Sequence, residues 1–317
     1  MKTKLTIILA LIANMMSAQV LTRRNEILDT LCQSKLTAVY LYTIQTSDAD
    51  GKHVTDSLQL ALQVGEEVWK TWACERYEYE KSGKDDATYL PFMRNEILMH
   101  VATTTVGYPE GKTTSIESIS PHQYEVTEDM EKPVWKKAKG KNTVCGYQCR
   151  KATGEFRGKK WNVSYAAAIP TTAGPWKLHG LPGLITYATD EKGIHTFQLI
   201  SVNEEAVPIT RSSGYPFHNI IIDRKTMTAD FTAQGELVMD TKPYKNATRE
   251  KCLGMKNKLF GDSRYLADPE FLNEWTNEDY YESDQFVCKD PNGKTYILRG
   301  GLYIPDKGHQ YQPLELK

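Results

Sequence analysis

The chain has almost no excess of charge of either sign: 39 lysines and arginines face 40 aspartates and glutamates, a formal net charge of -1. Without a basic surplus there is no electrostatic footprint for nucleic acid or anionic lipid. Long hydrophobic runs are lacking too. The apolar stretch 5–16 is too short to span a bilayer, which takes about 20 residues, and mean hydropathy is -0.51. Internal repeats and low-complexity tracts are missing. So are the common catalytic signatures: no G-x-S-x-G elbow, no H-E-x-x-H, no phosphate-binding loop and no G-x-G-x-x-G. The histidines at 53, 100, 122, 179, 195, 218 and 309 include no pair at i,i+2 or i,i+4. Glu66-Glu67 and Asp85-Asp86 are adjacent and diverge on any strand, which does not suit chemistry that needs two carboxylates across a site.

What is there begins with a leader. Lys2 and Lys4 precede the apolar stretch, and Ser17-Ala18 offers a small-residue cleavage site. That is the pattern of a signal peptide over 1–18. No cysteine sits at the cleavage point, where Gln19 would begin the mature chain, which argues against a lipid anchor. The expectation is an exported protein of the periplasm, the cell envelope or the exterior, not membrane-spanning. Length then allows a β-rich domain over 19–260 with an appendage over 261–317.

Six cysteines in an exported chain are disulfide candidates: Cys32, Cys74, Cys145, Cys149, Cys252 and Cys288. Were 145–149 a strand, its ends would lie roughly 13 Å apart, beyond the roughly 7 Å a disulfide spans. Proximity along the chain suggests Cys32 with Cys74 and Cys252 with Cys288. No metal or cofactor is expected. Cys145 and Cys149 lack a second matching half, and the calcium-like fragment Asp48-Ala49-Asp50-Gly51 has Thr46 and Ser57 where its anchoring carboxylates belong.

The patterning is that of strands. Segments 36–45 and 54–64 flank a turn, 112–119 follows the Tyr108-Pro109-Glu110-Gly111 turn, and 144–151, 152–157 and 160–168 keep the rhythm. In 194–202, His195, Phe197 and Leu199 share one face. Segments 218–223 and 227–231 read as a further strand pair. A short helix is expected over 22–34, and another over 246–260. Lys136, Lys137, Lys139 and Lys141 read as a solvated loop. Gly180-Leu181-Pro182-Gly183-Leu184-Ile185 reads as a structural turn built on Gly180, Pro182 and Gly183. Pro182 and Gly183 suit the two central positions of a type II turn, which feeds a hairpin at 184–202.

This hexapeptide closes a block that also holds Gly146-Tyr147-Gln148-Cys149, Phe156-Arg157-Gly158 and Gly174-Pro175-Trp176. The block closely resembles the GLPGLI family of exported proteins of the Bacteroides group, over roughly 36–260 and most strongly over 144–200. The resemblance covers the Tyr108–Gly111 turn, Trp135 ahead of the GYxC element and the helix near 246–260. It departs at Val163-Ser164-Tyr165-Ala166-Ala167-Ala168, where the family reads closer to Ala-Trp-Tyr-Thr before Ile-Pro. It implies an exported β protein and brings no activity with it. The GYxC and FRG strands are similar to those of LolA-like half-barrel carriers. The expected fold is therefore mainly β: an antiparallel meander or curved half-barrel-like sheet with one or two helices.

The function this suggests is a non-catalytic exported binding or envelope-assembly protein. Its sheet would hold an apolar molecule or dock an envelope protein, with Trp176, His179, Leu181, Pro182 and Phe197 at the contact surface or in the core behind it. The alternative is a metal- or thiol-dependent enzyme centred on His179, His195 and Cys149. The two separate on geometry. A binder needs a concave apolar surface, and an enzyme needs convergent polar groups.

Overall fold

A computed structural model describes residues 27–48, 50–82, 104–108, 111–119, 122–214, 220–223, 228–231, 245–260, 286–289, 295–299, 302–305 and 312–316. The expected signal peptide lies outside the described residues. Contacts divide the chain into two compact units. The larger is Leu31–Ser82, Pro91–Ile209 and Tyr244–Lys317; the smaller is Met1–Thr30, Gly83–Leu90 and Thr210–Pro243.

Six strands form a first antiparallel meander: β1 (Ile27–Ser47), β2 (His53–Gly65), β3 (Trp69–Ala73), β4 (Thr104–Tyr108), β5 (Lys112–Ile119) and β6 (His122–Asp129). A helix, α1 (Cys74–Ser82), follows β3. Five more strands form a second: β7 (Val134–Val144), β8 (Tyr147–Phe156), β9 (Lys159–Ala166), β10 (Leu184–Asp190) and β11 (His195–Asn203). β1 pairs with β11, giving one open sheet of order β6-β5-β4-β3-β2-β1-β11-β10-β9-β8-β7. β12 (Pro208–Gly214) also pairs with β1. The smaller unit carries the separate hairpin of β13 (Ile220–Asp223) and β14 (Thr228–Phe231). β15 (Lys245–Asn246) adds to β6 in parallel and leads into α2 (Arg249–Phe260). β16 (Phe286–Lys289), β17 (Thr295–Arg299) and β18 (Leu302–Pro305) make a small antiparallel sheet of their own. The protein is mainly β, as its alternating pattern requires. No helix among the described residues is long and apolar enough to cross a membrane.

Local chemistry explains most boundaries. The β1–β2 loop is an Asx turn: Asp48 Oδ1 accepts from the amides of Asp50 and Lys52. Thr248 caps α2, its hydroxyl accepting the Lys251 amide at 3.3 Å. His195, Phe197 and Leu199 are buried while Gln198 and Ile200 are exposed, so β11 turns one face to the core as its alternation demands.

Three expectations are corrected. Residues 27–34 of the helix expected over 22–34 are the start of β1. Ser34 gives its amide to Val207 and its hydroxyl accepts the Val207 amide, and Leu31 and Cys32 pack near Val68, Val106 and Ile209. Neighbouring strands override the weak local helix pattern. Residues 147–156 are one strand, not two. The lysine run is not a loop but β7, at one end of the sheet, bulged between Ala138 and Lys141 with Gly140 at φ +98°. Lysines and a bulge are the usual protection of an unpaired strand edge.

The main core cluster lies on one face of the sheet. Tyr40 and Tyr42 of β1, Leu60 and Leu62 of β2, Trp161 of β9 and Phe197 of β11 are among its members. Each such side chain contributes about 1.5–3 kcal/mol on burial. The Tyr40 hydroxyl donates to the Ile185 carbonyl at 2.7 Å, so the polar tip is satisfied as well. The segment 167–183 and residues 312–316 send Trp176, Leu178, Leu181 and Leu314 into this core, and α2 packs on β5 and β6. Part of the segment read as an appendage, 312–316, is therefore part of the main core.

Candidate functional site

The segment 167–183 joins β9 to β10 without a helix or strand, yet most of it is buried. A buried loop must satisfy its own backbone. The Ile169 carbonyl accepts from Thr171 and Leu184, the Gly180 amide donates to Thr172, and Leu178 donates to Pro175. Trp135 of β7 reaches over to donate its indole N–H to the His179 carbonyl at 2.7 Å. Gly174 approaches closely: a β-carbon there would stand 2.5 Å from the Leu178 carbonyl oxygen. Trp176 holds φ +55°, a left-handed conformation uncommon outside glycine.

The Leu181–Leu184 turn is not type II. The Gly183 amide donates to Leu181 across Pro182 at 2.9 Å, a three-residue inverse γ-turn. Leu184, whose amide would close a type II turn, donates to Ile169 instead at 3.1 Å. That competing carbonyl sets the turn type and aligns the chain into β10. Gly183 has φ +144°.

The candidate contact residues are mostly interior. Trp176, Leu181 and Phe197 belong to the core, His179 is buried, and Pro182 is exposed. Their rings join in one unbroken series. Tyr42 packs on His195 and Phe197, Phe197 on Trp161, and Trp161 on Trp176. Trp176 meets Phe156 edge-on, and Phe156 and Trp69 flank His179. Such pairs add about 0.5–1.5 kcal/mol each beyond their area. His195 ends this series on one side, and His179 lies next to its other end, Trp69.

Each histidine is a neutral core residue. His195 Nε2 lies 3.2 Å from the Pro313 carbonyl, which can only accept, so that nitrogen carries the proton. Nδ1 is then the acceptor of the Tyr42 hydroxyl at 2.7 Å. Burial, with the Lys159 charge adding, lowers His195 to about 3. His179 Nδ1–H donates to the Lys177 carbonyl at 2.9 Å. Burial lowers its pKa, the Lys177 hydrogen bond partly offsetting this and Lys132 adding to the fall. Cys149, 1% exposed, sits with Thr186 Oγ1 at 3.1 Å and the Tyr147 carbonyl at 3.2 Å. Among the described residues the three share no hydrogen-bond partner. Among the described residues no group of three or more His, Cys, Asp and Glu side chains gathers as a metal site.

The cysteines depart from the expected disulfides. Cys32, Cys74, Cys145, Cys149 and Cys252 are free thiols. Cys32 belongs with Val68 and Ile209, whereas Cys74 packs in a different cluster with Trp72 and Tyr77. The two cysteines proposed as partners thus lie in different clusters. Burial, with Glu78 adding, pushes Cys74 up to about 11; burial and Glu117 do the same to Cys252, nearby lysines partly offsetting. Cys145 is exposed on the β7–β8 turn, where its thiol donates to the Ile200 carbonyl. The side chain of Cys288 lies outside those described.

A group of charges that sequence reasoning missed lies beneath α2. Lys177 is buried and donates to Glu315 Oε1 at 2.6 Å and Glu128 Oε1 at 3.1 Å. Arg157, also buried, donates to Glu128 Oε2 at 3.0 Å and lies 3.6 Å from Glu315 Oε2. Lys256 of α2 pairs with Glu117 of β5, and Arg249 approaches Glu128 at 3.4 Å. Burial alone would lower Lys177, but Glu315, Glu117 and Glu128 hold it above its ordinary value. Burial raises Glu117, yet Lys256 and Lys177 bring it below the usual carboxylate range. Burial pushes Glu315 up, with Glu117 and Glu128 adding and Lys177 partly offsetting. Lys256 and Glu117 are 139 residues apart and the other pairs are also well separated along the chain, so no local motif announces them. The cavity among them is only about 20 Å³, lined by Trp176, Lys177, Cys252, Leu314 and Glu315 among others. It has room for little more than a water molecule.

The chain matches no protein-family model and no curated protein. Among solved structures it is similar to PNGF-II in the C2 space group, at 14% identity and TM-score 0.38, over 82% of this chain and 39% of that one. PNGF-II in the P21 space group gives 13% identity and TM-score 0.39, over 82% and 40%. The chain spans about two-fifths of the length of those structures. A likeness of that depth carries no argument about function.

Proposed function

We propose that this is an exported, non-catalytic binding or assembly protein of the cell envelope, a member of the GLPGLI family whose partner is a protein. One observation carries the choice of partner. The apolar face of the sheet is filled by the chain's own Trp176, Leu178, Leu181 and Leu314. An apolar small molecule that expelled this cover would leave the charges beside it unpaired, whereas a polypeptide can bind over it or replace it in kind. The non-catalytic reading is supported by His179, His195 and Cys149, each committed to a separate set of internal partners.

Native mass spectrometry of the protein purified from its own envelope tests this, run intact, denatured and with a chelator. The expected result is a stoichiometric polypeptide mass lost on denaturation. A lipid-sized mass would replace the protein partner with an apolar ligand. One metal ion lost to the chelator would overturn the non-catalytic reading.

A further inference from the structure

We infer that the cleft around Lys177 is a peptide-recognition groove, and that residues 312–316 of this chain are its resident occupant. The inference rests on the binding-protein reading and gives it a site and a ligand class: an extended segment presenting a leucine followed by a carboxylate.

Residues 312–316 are held as a bound peptide is held. They join no strand ladder. The Pro313 carbonyl accepts from His195 Nε2 of β11, and the Leu316 amide donates to the Arg157 carbonyl at the β8–β9 turn, at 3.0 Å. Between these main-chain anchors Leu314 enters the core and Glu315 meets Lys177. Main-chain hydrogen bonds flanking selective side-chain sites are the usual means of reading an extended peptide.

Charge makes the groove selective. Lys177 and Arg157 are both buried, and they share two carboxylates of low exposure, Glu128 and Glu315. Arg157 also lies 3.4 Å from Glu131, which is half exposed, and Arg249 competes for Glu128. With Glu315 withdrawn, the two buried cations would share the partly buried Glu128, with the half-exposed Glu131 beside Arg157 alone. Uncompensated buried charge is costly, so the vacated groove favours another acid in the same place. A partner takes the groove by supplying the same Leu-Glu pair and displacing the resident segment.

The test uses the full chain carrying Glu315→Lys, which sets a third cation against Lys177 and Arg157 and expels the segment. Binding of a labelled peptide, Tyr-Gln-Pro-Leu-Glu-Leu-Lys, is followed by anisotropy. The variant is expected to bind at least about tenfold more tightly than the wild-type chain, whose groove is mostly occupied. Replacing the peptide's Glu by Gln is expected to abolish that gain. A folded variant that binds neither peptide overturns the proposal. Should the variant not fold, amide exchange of the wild-type chain decides. The Leu316 amide is expected to exchange faster than those of β1, and faster again with excess peptide. Exchange of Leu316 at the rate of the β1 core, unchanged by peptide, overturns the groove. A wild-type dimer that forms at the same concentrations and dissociates with excess peptide would assign the groove to a second copy instead. A polypeptide partner seen by native mass spectrometry alongside a failed peptide test would keep the binding reading and remove this site.

Discussion

Gly183 lies against the carbonyl of Ala166: a β-carbon placed on it would stand 2.3 Å from that oxygen. The obstruction is backbone, in the strand that β10 pairs with, so it cannot swing aside. Together with φ +144°, this makes glycine the residue that fits. Gly183→Ala is expected to destabilise by about 3 kcal/mol or more. The exposed Pro182, changed to Ala, should cost under about 1 kcal/mol. Denaturant titrations of both variants check the contrast, and equal costs would mean that the motif's rigidity resides in its proline.

Lys177 and Glu315 supply a second contrast. Removing one member of a buried ion pair leaves the other uncompensated, typically at about 3–5 kcal/mol. Lys177→Met removes a cation from two carboxylates, Glu128 and Glu315, and leaves Arg157 to serve both, whereas Glu315→Gln removes one carboxylate and leaves Lys177 with Glu128. The lysine variant is therefore expected to lose more. The double variant should lose less than the two single losses combined, and a thermal-unfolding cycle measures that coupling.

How legible these features are in the sequence depends on the range of the force involved. Strand alternation is local, so β2, β5, β10 and β11 and the buried face of His195, Phe197 and Leu199 can be read directly. The role of Gly183 as a structural glycine is readable too, but its turn type is not, because the competing Ile169 carbonyl comes from elsewhere. The Lys177–Glu315 pair joins residues 138 apart, and no spacing rule reaches that far. The cysteines fail for the same reason. Cys32 and Cys74 are close along the chain, but packing assigns them to different clusters.

Free thiols make the cysteine finding testable. Cys145 is exposed, while Cys149, Cys74 and Cys252 are buried. Reaction of the folded protein with a thiol reagent is expected to lose one fast equivalent in Cys145→Ser and none in Cys149→Ser. Reductant should leave the melting temperature unchanged. A fall on reduction would restore a disulfide.

Acid is expected to weaken the fold through His195. Its pKa falls from the ordinary 6.5 to about 3 in the folded protein, so between those values the unfolded chain binds more protons. Stability therefore declines as pH falls from about 6.5 towards 3, by at most about 1.4 kcal/mol per pH unit from this group. Glu117, held below its ordinary value, adds loss of the same sign lower down, as pH falls through its folded pKa. His195→Asn should flatten the upper part of the curve, between pH 6 and 5. An unchanged slope there would mean that another group titrates.

The edge at β7 gives the last prediction. Among the described residues β7 pairs only with β8, which leaves its other edge without a strand there. Lys136, Lys137, Lys139 and Lys141 crowd this edge, and the bulge at Gly140 breaks its regularity. Both features oppose pairing with a second edge, the lysines by like-charge repulsion and the bulge by spoiling the hydrogen-bond register. Val134, 72% exposed at the start of the strand, would otherwise favour apolar association. Changing the four lysines to threonine keeps β propensity and removes the repulsion. The variant is expected to keep the wild-type melting temperature within a few degrees but to self-associate, read as rising mass in light scattering with concentration. A variant that stays monomeric would assign edge protection to the bulge alone, and deleting Gly140 from the same background would then be the change that releases association.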